Sequence, residues 1–381
     1  MIGIVFFAIE LGNNLMGPNV VFYNILKSLA TYSDLSTRLK YFFVFNKDYK
    51  KSDLFNLINS IGEIIFVNVK SYVTLFSDVY VLKKQIINKY KHIKLRFLYP
   101  KPILLPVNVE QYAFLYDLPF ELLYFGKTIK YIKQQLLFKR IIWNRLKKIF
   151  TISHSSFNDI KSLLGLKNVD WIHLGVDQEI FRILPEKDYK PYVDSIFRSR
   201  GIDVYDGYFF YPLGKIWRRK NLENLIYAFR ILHQTLDQKI YLVITANNLD
   251  SQDSYVRKVL SIPCQEVIWI KTLSTDDLVK LYNGSLAVVY PSFYEGFGLP
   301  IIESLSCGKN ILCSNINVFK EIYPDNEFLF EPNNVEDIYK CMLNFYYKKD
   351  KLVTNRILLR EKATRFSWKN TVDNLITKMG E

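Results

Sequence analysis

Two carboxylates and a glycine-rich turn make residues 290–308 the segment of this sequence with the clearest chemical potential. The segment follows an apolar run, turns through Gly296 and Gly298, and continues into a stretch typical of a helix. Because glycines let backbone N–H groups approach a ligand and helix starts favour anions, such a turn can bind a phosphate. We expect Glu295 in the turn and Glu303 in the first helical turn, with both carboxylates on one side, where they can hold sugar or ribose hydroxyls. Acidic residues near a helix start also offset the helix dipole, so an ordinary turn explains this segment alone equally well.

A cluster of cations follows the first predicted strand of the second half. Lys215, Arg218, Arg219 and Lys220 lie between that strand and an amphipathic stretch. Paired positive groups at a strand end suit a diphosphate. A solvated basic turn is the alternative, and it is the better interpretation of this run taken alone.

Apolar periodicity predicts the elements that position these segments. Short apolar runs alternate with longer amphipathic stretches in both halves, which is typical of strands and helices around a parallel sheet. The polar residues 175–207, with two prolines, are the best candidate for a linker. We therefore predict an α/β protein of two doubly wound, Rossmann-like domains facing a central cleft, where ligands meet the carboxyl ends of strands.

The composition excludes several other classes of protein. Of the 381 residues, 49% are hydrophobic and 16% aromatic, which is too many for a disordered chain. The four cysteines include no C-x-x-C pair, and no Asp-x-Asp pair follows a predicted strand, so we expect reduced cysteines and no metal site. Neither a signal-peptide pattern nor a membrane-spanning apolar run is visible, so we expect a cytoplasmic protein.

The positive charge is concentrated in the first half of the chain. The formal net charge is +14, and residues 1–181 contain 24 basic and 13 acidic residues. Residues 79–109 and 127–150 contain no acidic residue at all. Such blocks fit an anionic surface or a polyanion. No nucleic-acid-binding motif accompanies the charge, so we expect no nucleic acid as a partner.

The second acid-free block combines its cations with large apolar residues. Lys127 to Phe150 reads KTIKYIKQQLLFKRIIWNRLKKIF, with a near-helical spacing typical of a helix at a membrane interface. It predicts peripheral contact with the inner face of a membrane. An apolar stripe that packs on the sheet, with solvated cations outside, is an equally good interpretation.

Several motifs together resemble the retaining glycosyltransferases of family 4. Glu295 and Glu303 are separated by seven residues in EGFGLPIIE, which resembles the E-x7-E motif of that family. Gly214-Lys215, together with Lys220, is similar to the diphosphate clamp of the family. Three further segments resemble the family: SHSSFNDI at 153–160, HLGVD at 173–177 followed by Phe181, and FSW at 366–368. The likeness spans residues 150–381, and it is weaker over residues 1–149.

The resemblance implies a GT-B fold, a nucleotide-diphosphate-sugar donor, retention of the anomeric configuration and no further cofactor. Under it, Glu295 orients donor hydroxyls and Glu303 binds the ribose. The implied substrate-binding residues are Gly17, Lys215, Lys220, Gly296, Phe297, Gly298, Leu299 and Glu303. Gly17 ends a short loop, from Gly12, that resembles the family's glycine loop near the donor phosphates.

Two residues depart from the family pattern. Asp117 matches the acid of the family's frequent His-Asp pair, but Tyr116 occupies the histidine position. Lys215 stands in place of the usual arginine. Lysine keeps the positive charge but lacks the planar guanidinium group that binds a phosphate through two hydrogen bonds. His154 follows a first-half strand whose end should face the cleft, which makes it a candidate general base for the acceptor. Glu295, Asp117 and His154 are therefore the candidate catalytic residues.

The resemblance also divides the chain into domains. Residues 1–185 form the predicted acceptor-binding domain, and a C-terminal helix at 366–381 crosses back onto it. Residues 186–365 form the predicted donor-binding domain.

Two functional hypotheses follow. In the first, an active retaining glycosyltransferase moves a hexose-type sugar to a glycan or lipid-linked acceptor in surface polysaccharide, lipopolysaccharide or glycolipid synthesis. In the second, a non-catalytic glycosyltransferase-like subunit binds a nucleotide sugar or a partner enzyme. Tyr116 favours the second hypothesis, whereas Glu295, Glu303 and Lys220 favour the first.

Overall fold

The computed structural model describes residues 1–8, 18–32, 39–47, 52–67, 72–118, 139–271, 273–352 and 355–380. The chain divides into two compact units. Unit 1 comprises Met1–Leu174 and Trp368–Glu381, and unit 2 comprises Gly175–Ser367. Each unit contains one parallel sheet with helices between its strands, so the predicted α/β fold with two Rossmann-like domains is confirmed. No described helix is both long enough and apolar enough to span a membrane.

Unit 1 is built on a seven-stranded parallel sheet with the order β3-β2-β1-β4-β5-β6-β7. Its strands are β1 (Ile2–Phe7), β2 (Leu39–Asn46), β3 (Gly62–Val67), β4 (Lys94–Tyr99), β5 (Glu110–Phe114), β6 (Lys148–Thr151) and β7 (Val169–Trp171). Its described helices are Pro18–Tyr32, Ser52–Ile58, Tyr72–Lys89, His154–Leu164 and Trp368–Gly380. Residues 42–45 of β2, FFVF, are fully buried, because a parallel sheet covered by helices buries the side chains of both its faces.

Strand β4 lies inside the acid-free block 79–109, and the sequence pattern does not indicate it. Two of its cations are engaged within the sheet: Lys94 Nζ lies 2.8 Å from Glu110 Oε1, and Arg96 Nε lies 2.8 Å from Glu110 Oε2. Arg96 is only 6% exposed. Part of the positive charge of this block therefore stabilises the pairing of β4 with β5 and is not available to an external polyanion.

Unit 2 is built on a six-stranded parallel sheet with the order β10-β9-β8-β11-β12-β13. Its strands are β8 (Gly207–Pro212), β9 (Ile240–Thr245), β10 (Val267–Ile270), β11 (Ala287–Tyr290), β12 (Ile311–Ser314) and β13 (Leu329–Phe330). Its helices are Glu186–Arg198, Leu222–Thr235, Ser254–Leu260, Thr275–Gly284, Leu299–Ser306, Asn317–Ile322, Val335–Leu352 and Arg356–Ala363, with a 3-10 turn at Arg218–Lys220. The winding direction reverses between β8 and β11, as it does between β1 and β4 in unit 1.

The predicted linker at residues 175–207 is wrong, because this segment contains the helix Glu186–Arg198. Val193 and Phe197, one turn apart, are buried on its inner face. Pro191 lies inside the helix and removes one backbone donor. Burial of the apolar face outweighs that loss, whereas the polar composition and the prolines alone favour a linker.

The first boundary between the units also differs from the prediction. Residues 175–185 belong to unit 2, because their backbone is hydrogen-bonded there. Leu184 N donates to Asn283 Oδ1 at 2.9 Å, and Asn283 Nδ2 donates to Arg182 O at 2.9 Å. The division therefore falls after Leu174 and not after residue 185.

The chain returns to unit 1 after Ser367, through the helix Trp368–Gly380. Lys378 Nζ of this helix lies 2.5 Å from Asp170 Oδ1, and Thr371 Oγ1 donates to His173 O at 2.9 Å. Just before the helix, Val176 N donates to Phe366 O at 3.0 Å. The two places where the chain passes from one unit to the other are therefore joined by a backbone hydrogen bond.

Candidate active site

The cation cluster and the glycine-rich turn lie at the same edge of the unit 2 sheet. The turn Arg218–Lys220 follows β8, and residues 291–298 follow β11. Strands β8 and β11 are hydrogen-bonded neighbours although β9 and β10 separate them along the chain. In doubly wound sheets, ligands bind at the carboxyl ends of the strands where the order reverses. The topology of unit 2 therefore brings both segments to the favoured binding position.

Glu295 is the centre of this candidate site. Its side chain is 7% exposed, with Oε1 2.5 Å from Lys220 Nζ and Oε2 3.2 Å from Arg219 Nη1. Lys220 Nζ also donates to the Tyr290 hydroxyl at 3.3 Å. Burial disfavours the charged carboxylate, but the adjacent Lys220 and Arg219 outweigh burial and lower the pKa of Glu295. The carboxylate is therefore charged at neutral pH and is held by two cations.

Asn221 fixes the cation turn against the segment after β11. Its backbone is left-handed, with φ 56°, a conformation that asparagine tolerates better than most residues. Its buried Nδ2 donates to Pro291 O at 3.0 Å and to Pro332 O at 2.7 Å. The sequence does not single out this residue, since an asparagine before an amphipathic stretch is typical of an ordinary helix cap. Its side chain makes no cap hydrogen bond here and instead joins two segments that are distant in sequence.

The glycine-rich turn requires glycine at one position. Gly298 has φ 109°, and a Cβ there would lie 2.9 Å from the Phe319 ring. The helix Leu299–Ser306 begins directly after Gly298. Gly296 and Phe297 are buried beside it. These residues form a helix N-terminus next to Glu295, and helix N-termini favour anions.

Glu303 lies in the second turn of that helix, so the prediction of a first-turn carboxylate is wrong. The helix begins at Leu299, and Glu303 is its fifth residue. Its Oε2 accepts a hydrogen bond from Tyr282 Oη at 2.6 Å. Burial raises the pKa of Glu303 to about 7. The pKa values of the two glutamates of the motif are therefore shifted in opposite directions: burial raises that of Glu303, whereas Lys220 and Arg219 outweigh burial at Glu295.

The loop after β8 is held by the loop after β9. Residues 213–216 make five hydrogen bonds to residues 245–248: Leu213 N to Thr245 Oγ1 (3.0 Å), Thr245 Oγ1 to Leu213 O (3.0 Å), Asn247 N to Gly214 O (2.9 Å), Ile216 N to Asn248 Oδ1 (2.8 Å) and Asn248 Nδ2 to Ile216 O (3.2 Å). The side chain of Lys215, in the middle of this loop, is exposed. Lys215 forms no ion pair with any residue that the structure describes, so it does not join the Glu295 cluster.

The candidate residues of the first half lie in unit 1, apart from Gly17, which is outside the described residues. Asp117 follows β5 and is partly buried. The neighbouring Tyr116 stacks on Phe114, with ring centres 5.4 Å apart. His154 follows β6, the strand paired with β5, so Asp117 and His154 are both near the carboxyl edge of the unit 1 sheet.

His154 is exposed and begins the helix His154–Leu164. The side chain of Ser153 caps this helix by accepting from Ser156 N at 3.0 Å. The His154 ring lies 5.8 Å from the Trp171 ring, and Nδ1 lies 3.4 Å from Asn158 Nδ2. Within the described ranges, no group of three or more His, Cys, Asp or Glu side chains could hold a metal ion.

Known proteins resemble the sequence of unit 2. Residues 195–355 match the family model described as glycosyl transferases group 1. The serotype-specific mannosyltransferase WbdA of Escherichia coli is 32% identical over 173 residues, which are 43% of this chain and 20% of that protein. The O-antigen chain mannosyltransferase B of Escherichia coli is 32% identical over 178 residues, which are 45% of each chain. The match therefore spans less than half the length of either relative.

A solved structure covers nearly the whole chain. The crystal structure of Anabaena HepE in complex with UDP-glucose has a TM-score of 0.69 and 13% sequence identity, over 99% of both chains. At this identity the likeness concerns the fold. The chain thus has the α/β fold of the GT-B glycosyltransferases, and its residues 195–355 are similar to the glycosyl transferases of group 1.

Proposed function

We propose that this protein is a retaining glycosyltransferase of family 4 that transfers a hexose from a nucleotide-diphosphate sugar to a glycan or lipid-linked acceptor. The observation that carries the proposal is the pairing of Lys220 and Arg219 with buried Glu295, beside a helix N-terminus, where the strand order of unit 2 reverses. A nucleotide sugar needs positive charge for its diphosphate and a carboxylate for its hydroxyls. The group 1 match over residues 195–355 supports a donor site in unit 2.

In the proposed reaction, the bond between the anomeric carbon and the diphosphate oxygen breaks. A bond from the same carbon to the acceptor oxygen forms on the same face of the sugar, so the configuration is retained. Negative charge develops on the departing diphosphate, and preorganised cations and N–H groups lower the barrier by matching it. Lys215, Lys220 and the backbone of residues 296–299 would supply these groups. The acceptor proton ends on the diphosphate, so the transfer balances without a further cofactor.

The two glutamates would act on different parts of the donor. Charged Glu295 would accept hydrogen bonds from the sugar hydroxyls, and its two cations would keep it charged when a ligand covers it. Glu303, whose pKa burial raises to about 7, would bind the ribose hydroxyls beside Tyr282. This division of roles follows from the resemblance to family 4, and the different pKa shifts of the two carboxyls are compatible with it.

The reacting hydroxyl of the acceptor would be bound by residues of unit 1. Asp117 and His154 follow neighbouring strands of its sheet, and exposed His154 is the candidate group that first takes up the acceptor proton. The relatives include mannosyltransferases and an O-antigen chain enzyme, so mannose is the first hexose to test and a surface polysaccharide is the first acceptor. Synthesis of lipopolysaccharide at the cytoplasmic face of a membrane fits both a mannose donor and a surface-polysaccharide acceptor.

Peripheral membrane contact belongs to the same proposal. Of the block Lys127 to Phe150, residues 139–150 are described. Trp143 and Leu146 pack into the core of unit 1, whereas Ile141 is 68% and Ile142 36% exposed. Inward packing and an apolar outer surface therefore coexist in this block, and the outer isoleucines beside Lys139 and Arg140 suit an anionic lipid surface.

Binding of nucleotides tests the donor site. Thermal unfolding is measured with UDP, GDP, ADP and CMP in turn, because a ligand at 100 times its Kd stabilises the native state by about 2.7 kcal/mol. We expect one diphosphate to raise the Tm, and Lys220→Ala and Glu303→Ala to remove that shift. Lys340→Ala, at an exposed helix position that forms a surface ion pair with Glu336, is the matched control.

Transfer itself is then measured with the matching nucleotide hexoses and oligosaccharide acceptors, and NMR of the product gives its anomeric configuration. A product of inverted configuration would contradict the family 4 mechanism. If no diphosphate raises the Tm, the non-catalytic subunit becomes the better hypothesis.

A further inference from the structure

Trp217 is an exposed tryptophan in the cation segment of the candidate site. It is 55% exposed, whereas the other four tryptophans of the chain are buried or partly buried: Trp143, Trp171, Trp269 and Trp368. A single exposed aromatic side chain is common on protein surfaces and carries no inference by itself. The backbone of Trp217 and its neighbours supply the argument.

The backbone on both sides of Trp217 is fixed. Ile216, just before it, is 1% exposed, and both its N–H and its C=O are hydrogen-bonded to the Asn248 side chain. The Trp217 carbonyl accepts from Lys220 N at 2.9 Å, and the Lys220 carbonyl accepts from Tyr211 Oη at 2.9 Å. The indole is therefore presented to solvent from a constrained backbone, which lowers the entropy lost when a ligand binds.

A single guanidinium group separates the indole from the buried carboxylate of the site. The Arg219 guanidinium carbon lies 6.0 Å from the centre of the Trp217 ring. Nη1 of the same guanidinium lies 3.2 Å from Glu295 Oε2. An extended ligand that reaches Glu295 can therefore also cover Trp217.

We propose that Trp217 is a platform for a sugar unit of the acceptor glycan. A pyranose ring has an apolar C–H face, which can lie on an indole, and a rim of hydroxyls, which need polar partners. Arg218, exposed and next to Trp217 in the chain, offers such a partner. This inference rests on the proposed function, because it takes the ligand to be a saccharide.

The exposure of the residues assigns the platform to the acceptor and not to the donor. Glu295 and Lys220, proposed for the donor, have side chains only 7% and 16% exposed. Trp217 and Arg218 lie at the exposed part of the same segment. A growing glycan extends away from the reacting sugar into solvent, so an exposed aromatic side chain suits it better than it suits the buried end of a nucleotide.

The test compares saccharide binding with nucleotide binding in the full chain. Acrylamide quenching of tryptophan fluorescence is measured with mannose and glucose oligosaccharides, for the wild type and for Trp217→Phe. Calorimetry then gives the Kd of the oligosaccharide and of the nucleoside diphosphate for Trp217→Ala. Tyr347→Ala removes a 69% exposed aromatic side chain from the helix Val335–Leu352 and is the matched control.

We expect an oligosaccharide to protect the wild type from quenching and to protect Trp217→Phe less. Trp217→Ala should raise the oligosaccharide Kd about tenfold, equivalent to about 1.4 kcal/mol, and change the nucleotide Kd by less than about twofold. Tyr347→Ala should change neither Kd.

Three results would overturn the inference. These are no oligosaccharide protection of the wild type, an unchanged oligosaccharide Kd in Trp217→Ala, and an equal loss of nucleotide affinity, which would assign Trp217 to the donor. Failure of the proposed function would instead appear as the absence of nucleotide binding by the wild type. The two failures are therefore distinguishable.

Discussion

Lys220 Nζ lies 2.5 Å from Glu295 Oε1, although the two residues are 75 positions apart. Lys220 follows β8 and Glu295 follows β11, and these strands are neighbours only because the sheet order reverses between them. The ion pair therefore joins the two winding directions of unit 2. It also keeps a nearly buried carboxylate charged, next to the helix N-terminus at Leu299.

Lys220→Met should destabilise unit 2 more than the double substitution Lys220→Met with Glu295→Gln. The single change leaves the buried carboxylate of Glu295 with Arg219 as its remaining ion-pair partner. Breaking a buried ion pair costs about 3–5 kcal/mol of unfolding free energy. We expect a smaller loss of about 2 kcal/mol, because Arg219 still compensates part of the charge. The double change removes the uncompensated charge. Urea denaturation of the wild type, both single variants and the double variant measures the coupling. Strictly additive effects would contradict the pairing.

Glu303 should make stability depend on pH. Its folded-state pKa, raised by burial from 4.5 to about 7, lies above its unfolded value, so the folded state binds the proton more tightly. The favourable contribution is complete below about pH 4.5 and is lost as the pH rises through about 7, by at most about 3 kcal/mol. Glu303→Gln should remove this decline. Denaturation of both proteins from pH 4 to 8 measures it, and parallel curves would contradict the raised pKa.

Gly298→Ala should destabilise the protein by about 1–3 kcal/mol, because alanine is strained at a positive φ. The new Cβ would also meet the Phe319 ring at 2.9 Å. The matched control is Gly214→Ala, since a Cβ at Gly214 meets no atom within 4 Å and its φ is not positive. Urea denaturation of the two variants compares them. Equal stabilities would show that the turn does not depend on the Gly298 conformation.

Asn221→Ala should cost about 2–3 kcal/mol, because it removes two buried hydrogen bonds and leaves Pro291 O and Pro332 O without this partner. Asn221→Gly tolerates the left-handed backbone but loses the same amide. It therefore separates the contribution of the side-chain hydrogen bonds from that of the backbone conformation. Asn224→Ala, which removes one partly buried hydrogen bond to Pro332 O, is the milder comparison. Thermal and urea unfolding measure all three. A loss no larger in Asn221→Ala than in Asn224→Ala would show that Asn221 does not hold the turn.

The surface around Ile141 should bind anionic vesicles. Changing Ile141 and Ile142 to aspartate should weaken sedimentation with phosphatidylglycerol vesicles by about tenfold, because it removes apolar area and adds negative charge. Ile357→Asp, at a 69% exposed position in unit 2, is the control and should have no effect. Equal binding by the wild type and the double variant would exclude these isoleucines from the contact. The helical content of the variants is checked by circular dichroism.

Much of unit 2 can be read from local sequence. Its strands are short apolar runs, and the helix Leu299–Ser306 is indicated by the glycines before it and by a proline in its first turn. The local sequence pattern fails to predict an element where burial of apolar side chains outweighs an unfavourable local composition. The helix Glu186–Arg198 forms despite an internal proline, and β4 forms within a basic block, where five of its six residues are buried and Glu110 pairs with its two cations.

The sequence by itself determined the alternation of strands and helices, the glycine-dependent turn and the residue types of the candidate site, because these depend on side-chain periodicity and backbone freedom over a few neighbouring residues. Only the tertiary structure decided which of those residues meet. Strand order brings Lys220 and Arg219 to Glu295, and the left-handed Asn221 fixes that contact. Burial raises the pKa of Glu303, whereas Lys220 and Arg219 outweigh burial at Glu295 and lower its pKa. These outcomes depend on contacts between distant parts of the chain and on the loss of water around them, and neither is encoded in any local pattern.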